Sequence, residues 1–218
     1  MIDGIRLKVC GLTSLVDAEF ADRLGADWLG FIFHEASPRN LPLTQFVAMA
    51  PRLPPRRKVA VSVNPSVDAL RRWRDAGCDA FQVHFSADTD AVTLEAWSQA
   101  VGRDRLWLAP KLPPGRTVTE PMLAAAKTVV VDTYHAAGFG GSGQTGDWSG
   151  FARLQAEQPE HTWILAGGLN PENIGAALSA SGARFVDVNS GVERAPGVKD
   201  ETKLKAFVVA LHRARTGG

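Results

Sequence analysis

The segment Leu24-Gly25-Ala26-Asp27 leads directly into the apolar run WLGFIF (28–33), and the same arrangement recurs twice along the chain. Ala76-Gly77-Cys78-Asp79 and Ser181-Gly182-Ala183-Arg184 each precede another apolar run. In all three segments the glycine occupies a position typical of the left-handed residue that ends a helix. The three glycines lie 52 and 105 residues apart, which is about two and four units of ~26 residues. This spacing indicates a repeating unit of one helix and one strand.

Short runs rich in β-branched and aromatic residues predict eight strands. They cover residues 5–10, 28–33, 58–63, 80–85, 105–109, 128–132, 162–166 and 184–188. Successive runs start 22 to 34 residues apart, which leaves room for a crossover helix between parallel strands. We therefore predict one (β/α)8 barrel over residues 1–218. An open doubly wound α/β sheet is the alternative, because the order of strands in a sheet is not visible in a sequence.

Several helix positions can also be predicted. Thr13 and Ser14 are suitable N-caps for a helix that ends near Gly25, and Asn170 could cap a helix that begins at Pro171. Two further helices have apolar residues at helical spacing, namely Val67, Leu70 and Trp73 after Ser66, and Leu204, Phe207, Val208 and Leu211 near the C-terminus.

The overall composition excludes several classes of function. Hydrophobic residues make up 45% of the chain, charged residues 22%, and the net charge is +1. We therefore expect no bulk attraction to nucleic acid or to a membrane surface. Two distant cysteines make no disulfide framework, and no apolar run is long enough to span a membrane. We expect a cytoplasmic protein with no obligate protein partner.

Polar residues gather where the predicted strands end, and in a barrel those carboxyl ends form one face on which function is built. They are Cys10, Gly11 and Thr13 after the first strand, His34 and Arg39 after the second, Asn64 after the third, His84 at the fourth, Asp132 at the sixth, Gly167 and Gly168 after the seventh, and Asn189, Ser190 and Gly191 after the eighth. Their convergence predicts a site for a small polar substrate.

The last two of these loops predict a phosphate site. Glycine lets backbone N–H groups come close to an anion, and a helix that starts nearby adds a favourable dipole. The loops after strands seven and eight are common phosphate sites in barrels. We therefore expect Gly167, Gly168, Ser190 and Gly191 to bind a phosphate group; the alternative is that these glycines only make tight turns.

The motifs on these strand ends resemble the phosphoribosylanthranilate isomerase family. They are KVCGLT (8–13), SPR (37–39), VSVN (61–64), QVH (82–84), GFGGSG (138–143) with DW (147–148), LAGGLNPEN (165–173), and VDVNSGVE (186–193) with PGVKD (196–200). They run from residue 8 to residue 200 in the order of the family.

This resemblance implies an Amadori rearrangement of a small phosphorylated substrate, N-(5-phosphoribosyl)anthranilate, without a cofactor. By the family pattern Cys10 is the general base and Asp132 the general acid. Arg39 holds the anthranilate part, and Asp187 lines the site. His84 is a candidate substrate contact from its place at a strand end, with a buried structural role as the alternative.

The ionisation states that this chemistry needs are unusual, because a normal Asp is mostly ionised and a normal Cys mostly protonated at pH 7. Lys8 points the same way as Cys10 along its strand. We therefore expect its ammonium to favour the thiolate and to pair with Asp187 on the neighbouring eighth strand. For Asp132, burial at the barrel mouth could raise the pKa.

Other functions remain open from the residues alone. Gly138, Gly140 and Gly143 match the GxGxxG dinucleotide fingerprint, but no helix is expected to open at the third glycine, so we expect a loop that closes over the substrate. A related sugar-phosphate isomerase that uses two Asp residues is a second possibility, and a catalytically silent barrel is a third. The histidines show no metal-binding spacing, so no metal is expected.

Overall fold

The computed structural model describes residues 1–113, 115–132 and 147–216. Eight parallel strands close into a barrel in sequence order, and β1 pairs with β8. The strands are β1 Arg6–Val9, β2 Trp28–Ile32, β3 Arg57–Val63, β4 Ala80–Ser86, β5 Leu106–Lys111, β6 Thr128–Val131, β7 Thr162–Leu165 and β8 Phe185–Val188. This closure confirms the predicted (β/α)8 barrel and excludes the open sheet.

Helices follow the strands and cover the barrel. They are α1 Leu15–Arg23, α2 Leu43–Met49, α3 Val67–Asp75, α4 Ala91–Val101, α5 Glu120–Ala125, α6 Trp148–Glu157, α7 Ile174–Ser181 and α8 Glu201–Thr216. Short 3-10 helices occupy Ala50–Arg52 and Ser190–Val192, and a small hairpin of β9 Glu193–Ala195 and β10 Val198–Lys199 precedes α8. Within the described ranges, no helix combines the length and the apolar character needed to cross a membrane.

Local capping explains where several helices begin and end. The Ser14 and Ser66 hydroxyls accept from the N–H groups of Asp17 and Ala69, so α1 and α3 start where the sequence predicted. Gly25, Gly77 and Gly182 have positive φ, as their place after a helix required.

The predicted start of α7 is wrong by three residues. Asn170 Oδ1 accepts from the N–H groups of Glu172 and Asn173, and Asn173 Oδ1 accepts from Asn170 N. This reciprocal pair makes a turn over residues 171–173, and the helix begins only at Ile174.

Two apolar layers hold the fold together. One lies between the strands and the helices and contains the stripe Leu204, Phe207, Val208 and Leu211 of α8, as predicted. The other fills the barrel interior. At the amino-terminal end of the strands, the rings of Trp28, Trp107 and Phe185 contact one another, with centroids 4.7 to 6.4 Å apart. Arg6 and Arg57 lie over two of these rings, so this end of the barrel is filled by side chains.

Candidate functional site

A cavity of about 440 Å³ opens at the carboxyl ends of the strands. Its volume falls in the range of small-molecule sites, about 300–1,000 Å³. Eight of the nine predicted site residues line it, namely Cys10, Arg39, His84, Asp132, Gly167, Gly168, Asp187 and Ser190. The closed barrel thus brings together residues that are up to 180 positions apart in the sequence.

Cys10 directly follows β1, and its side chain faces the barrel interior, where it is buried. Gly30 on β2 makes room for it, because a Cβ at that position would lie 3.0 Å from Cys10 Sγ and 3.0 Å from Lys8 Cε. Sequence reasoning missed this role of Gly30. Its signal was a glycine inside an apolar strand, which often marks a close approach of another group.

The predicted ion pair between Lys8 and Asp187 is present. Lys8 is opposite Asp187 in the register of β1 and β8, and Nζ lies 2.6 Å from Oδ2. Burial alone would lower the pKa of Lys8, but the charge of Asp187 and the hydrogen bonds to Asp187 and Cys10 outweigh it and raise that pKa, so Lys8 is an ammonium ion.

Lys8 lowers the pKa of the Cys10 thiol by its charge and by a hydrogen bond, as expected, but it does not set the net direction of the shift. Burial raises the pKa of the Cys10 thiol, and this outweighs the lowering by the ammonium groups of Lys8 and Lys199. Asp187 adds to the raising, because its carboxylate disfavours a second negative charge nearby. The Cys10 thiol is therefore neutral at pH 7.

Asp132 is the first residue after β6, and it lines the same cavity as Cys10. Its side chain has the same orientation as that of Val130, which packs inside the barrel, because side chains alternate along a strand. The loop that the sequence predicted to close over the substrate, residues 133–146 with Tyr134 and His135, lies outside the described residues.

His84 lies in the cavity wall two residues before the end of β4, so it does not end that strand as predicted. Gln82 Nε2 lies 2.9 Å from His84 Nε2, and an amide nitrogen can only donate, so this contact favours the tautomer with the proton on Nδ1. Burial, together with the charges of Lys8 and His34, lowers the pKa of His84 to about 4. The imidazole is therefore neutral at pH 7.

Arg39 reaches the cavity from the loop after β2, but its guanidinium is not isolated there. Nε and Nη2 donate to both oxygens of Glu193, at distances of 2.7 to 3.0 Å. Lys199 Nζ donates to the same carboxylate at 2.9 Å. Glu193 and Lys199 were missed as individual residues, although both stand in the quoted motifs. The signal that could have identified them is the pair of charged residues on either side of the Pro196-Gly197 turn.

The two predicted phosphate loops lie side by side. Gly167 and Gly168 both have positive φ, and the carbonyl of Gly168 accepts from Asn173 Nδ2 at 2.9 Å. Among the described residues, none accepts a hydrogen bond from the backbone N–H of Gly167, Gly168 or Ser190. These donors remain available to an anion at the cavity edge.

Gly191 has a different role from the one predicted. It does not line the cavity. A Cβ on Gly191 would lie 2.0 Å from the carbonyl oxygen of Leu169, so the glycine lets the loop after β8 pack directly on the loop after β7. The prediction placed it among the phosphate contacts because sequence position alone does not distinguish a glycine near a ligand from one near another backbone.

The cavity floor presents polar atoms that have no hydrogen-bond partner among the described residues. They are Gln82 Oε1, Asp187 Oδ1 and Ser62 Oγ, all of them buried. Buried polar atoms are normally satisfied. A ligand that carries several hydroxyl groups, such as a sugar, would supply the missing donors.

Comparison with known proteins agrees with this geometry. A family model described as N-(5′-phosphoribosyl)anthranilate (PRA) isomerase matches residues 7–210. The chain is 36% identical over 211 residues to N-(5′-phosphoribosyl)anthranilate isomerase of Neisseria gonorrhoeae, covering 96% of this chain and 97% of the relative. It is also 36% identical to the protein of that name from Synechococcus elongatus, with the same coverage of both chains.

Solved structures give the same result. The crystal structure of phosphoribosyl anthranilate isomerase from Thermus thermophilus superposes with a TM-score of 0.80 at 29% identity, covering 95% of this chain and 98% of that one. A second structure, phosphoribosyl anthranilate isomerase in complex with reduced 1-(o-carboxyphenylamino)-1-deoxyribulose 5-phosphate, has a TM-score of 0.71 at 27% identity and covers 98% of this chain and all of that one.

Proposed function

This chain belongs to the N-(5′-phosphoribosyl)anthranilate isomerase family, and from that premise we propose that Cys10 and Asp132 carry its reaction as general base and general acid. The protein is an isomerase of tryptophan biosynthesis that acts on a small phosphorylated molecule. It converts N-(5′-phosphoribosyl)anthranilate to 1-(2-carboxyphenylamino)-1-deoxyribulose 5-phosphate. One observation carries the proposal: a thiol that directly follows β1 and a carboxyl group that directly follows β6 line the same cavity.

The first step opens the ribose ring. Asp132 donates a proton to the ring oxygen, the bond from that oxygen to C1′ breaks, and the nitrogen lone pair forms a C1′=N double bond. Asp132 is left as a carboxylate. Its position at the cavity wall supports this role, because a general acid must come within hydrogen-bond reach of the oxygen that it protonates.

The second step moves a proton from carbon. The Cys10 thiolate removes the proton from C2′, the electron pair forms C1′=C2′, and the electrons of the C=N bond return to nitrogen. The resulting enolamine takes up a proton at C1′ and gives up the proton of its C2′ hydroxyl, which leaves the ketone. Burial raises the pKa of Cys10, so the thiolate is a minor species at pH 7 but a stronger base once it has formed.

The remaining contacts support binding of the two ends of the substrate. The N–H groups of Gly167, Gly168 and Ser190 suit the phosphate, while Arg39 suits the carboxylate of the anthranilate ring. Asp187 and His84 line the same cavity and are candidate contacts for the sugar hydroxyls.

The test is to generate phosphoribosylanthranilate in situ and to follow the loss of its fluorescence with purified protein. Cys10→Ala and Asp132→Asn should each lower kcat by about 10²-fold to 10⁴-fold, the usual contribution of a general acid or base. Cys78→Ala is the matched control, because Cys78 is also buried but precedes β4 and does not line the cavity. Near wild-type rates in either cavity variant would overturn the assigned roles, and an inactive wild type would overturn the function.

A further inference from the structure

Glu193 and Lys199 form a charged cluster with Arg39 that the reaction scheme above does not use. Glu193 begins β9 and Lys199 ends β10, so the hairpin places the two side chains next to each other. Thr13 Oγ1 donates to the carbonyl of Gly197 in the hairpin turn at 2.6 Å, which ties the hairpin to the loop after β1. The hairpin that carries Glu193 and Lys199 is therefore fixed to a neighbouring loop of the cavity.

The Glu193 carboxylate is fully engaged. It accepts from Arg39 Nε and Nη2, from Lys199 Nζ at 2.9 Å, and from the N–H of Gly197 at 3.3 Å. Burial would raise the pKa of Glu193, but the hydrogen bonds and charges of Arg39 and Lys199 outweigh it, so this pKa is lowered and the carboxylate is ionised.

Lys199 is almost completely buried, with 4% of its surface exposed. In addition to Glu193 it donates to Asn189 Oδ1 at 3.0 Å and to the Asn189 carbonyl at 3.2 Å. Burial lowers the pKa of Lys199, and the charge of Glu193 and its hydrogen bond oppose that lowering. Nζ has three acceptors, which matches the three donors of an ammonium group, so the three side chains together carry two positive charges and one negative charge. The cluster therefore has a net charge of +1 beside the cavity, although the Glu193–Arg39 pair alone would be neutral.

The way in which Arg39 is held decides what it can bind. All three of its bonds to Glu193 use one edge of the guanidinium, the edge formed by Nε and Nη2. The hydrogen bonds that the Arg39 guanidinium makes to described residues use Nε and Nη2 and leave Nη1 out, and Arg39 lines the cavity. The second edge, formed by Nη1 and Nη2, has the spacing that matches a carboxylate with two parallel hydrogen bonds.

We infer that Glu193 and Lys199 are positioning residues that fix one edge of Arg39, so that its other edge forms a preformed receptor for the carboxylate of the substrate's aromatic ring. Glu193 sets the orientation of the guanidinium. Lys199 supplies the second positive charge that keeps the receptor cationic while Glu193 is bound. The inference rests on the proposed function, since it takes the anthranilate carboxylate as the ligand.

The experiment measures binding by titration calorimetry with two ligands. One is reduced 1-(o-carboxyphenylamino)-1-deoxyribulose 5-phosphate, the compound present in a similar protein. The other is the same molecule without the ring carboxylate. The ratio of their Kd values isolates the carboxylate contribution from that of the sugar phosphate.

Wild-type protein should prefer the carboxylated ligand. Glu193→Gln should lower this preference by about tenfold or more, because a charged hydrogen-bonding contact is of that strength, while Kd for the other ligand stays within a few-fold. In turnover, KM should rise more than kcat falls. Glu193→Asp, which keeps the charge, should recover part of the preference, and Glu95→Gln, an exposed position on α4, is the matched control.

Lys199→Gln provides an independent test if Glu193→Gln does not fold. It leaves the Glu193–Arg39 contact intact and removes one positive charge, so the preference should fall several-fold and depend less on salt. An unchanged preference in either folded variant overturns the inference. That outcome is distinct from failure of the proposed function, which an inactive wild type would show.

Discussion

Replacing Lys8 with Met removes one partner of the buried ion pair inside the barrel. Lys8 is completely buried, and its Nζ lies 2.6 Å from Oδ2 of Asp187, which is 6% exposed. Met has nearly the length of the lysine stem and no charge. The variant therefore leaves the Asp187 carboxylate buried without its cation, while it changes the packing volume little.

The size of the effect follows from this geometry. At 2.6 Å two unit charges attract by about 6 kcal/mol for an effective dielectric constant of about 20. Taking each ion out of water costs several kcal/mol, so the intact pair contributes little net stability. Removing one partner keeps the cost for the other, and we expect a loss of about 3–5 kcal/mol. For a chain of this length that loss corresponds to a Tm lower by about 6–20 °C.

Thermal unfolding followed by circular dichroism measures this loss. Arg71→Met is the control for an exposed pair, because Arg71 and Asp68 are both largely solvated and should contribute no more than about 1 kcal/mol. The double variant Lys8→Met, Asp187→Leu should recover most of the lost stability, since two apolar side chains replace two ions. The reasoning is refuted if Lys8→Met is as mild as the Arg71 control, or if the double variant is as unstable as the single one.

Two further predictions concern single residues in the cavity and its loops. Because the pKa of His84 is lowered to about 4 while an unfolded histidine has a pKa of about 6.5, the unfolded state binds the extra proton between these values. The free energy of unfolding should fall by up to about 3 kcal/mol as the pH drops from 6.5 to 4. In urea unfolding, the midpoint of His84→Asn should lack that part of the pH dependence. If the midpoints of both proteins change equally with pH, the assignment is contradicted. Gly191→Ala should lower the free energy of unfolding by about 1–3 kcal/mol and raise KM, because its Cβ would lie 2.0 Å from the Leu169 carbonyl oxygen. Gly175→Ala is the control, since a Cβ there has no atom within 4 Å. Equal effects in the two variants would show that the contact at Gly191 is relieved without cost.

The barrel itself was predictable because each strand is an apolar run of its own, bounded by turn residues. The eight predicted runs match the observed strands to within one or two residues at each end. The site face was predictable for the same reason, since closure of parallel strands puts all their carboxyl ends together. The start of α7 was not, because two asparagine side chains, Asn170 and Asn173, compete with the helix for the first N–H groups.

Contacts that depend on the three-dimensional arrangement could not be predicted from the sequence. The pairing of Lys8 with Asp187 followed from strand order and alternation, yet the net direction of the Cys10 pKa did not, because the cost of burial depends on everything around the sulfur. Likewise, Glu193 and Lys199 meet Arg39 only through a hairpin whose register the residues do not specify. The packing role of Gly191 depends on how closely two loops approach.

The packed amino-terminal end of the barrel limits how molecules enter and leave the enzyme. It is filled by the rings of Trp28, Trp107 and Phe185, with Arg6 and Arg57 stacked on them. These side chains close that end, so the cavity opens at the carboxyl ends of the strands and no channel runs through the described barrel. Substrate, displaced solvent and product must all pass the same entrance, so a new substrate molecule waits until the previous product has left. A tightly bound product therefore delays the next turnover, because it occupies the entrance that the next substrate molecule must use.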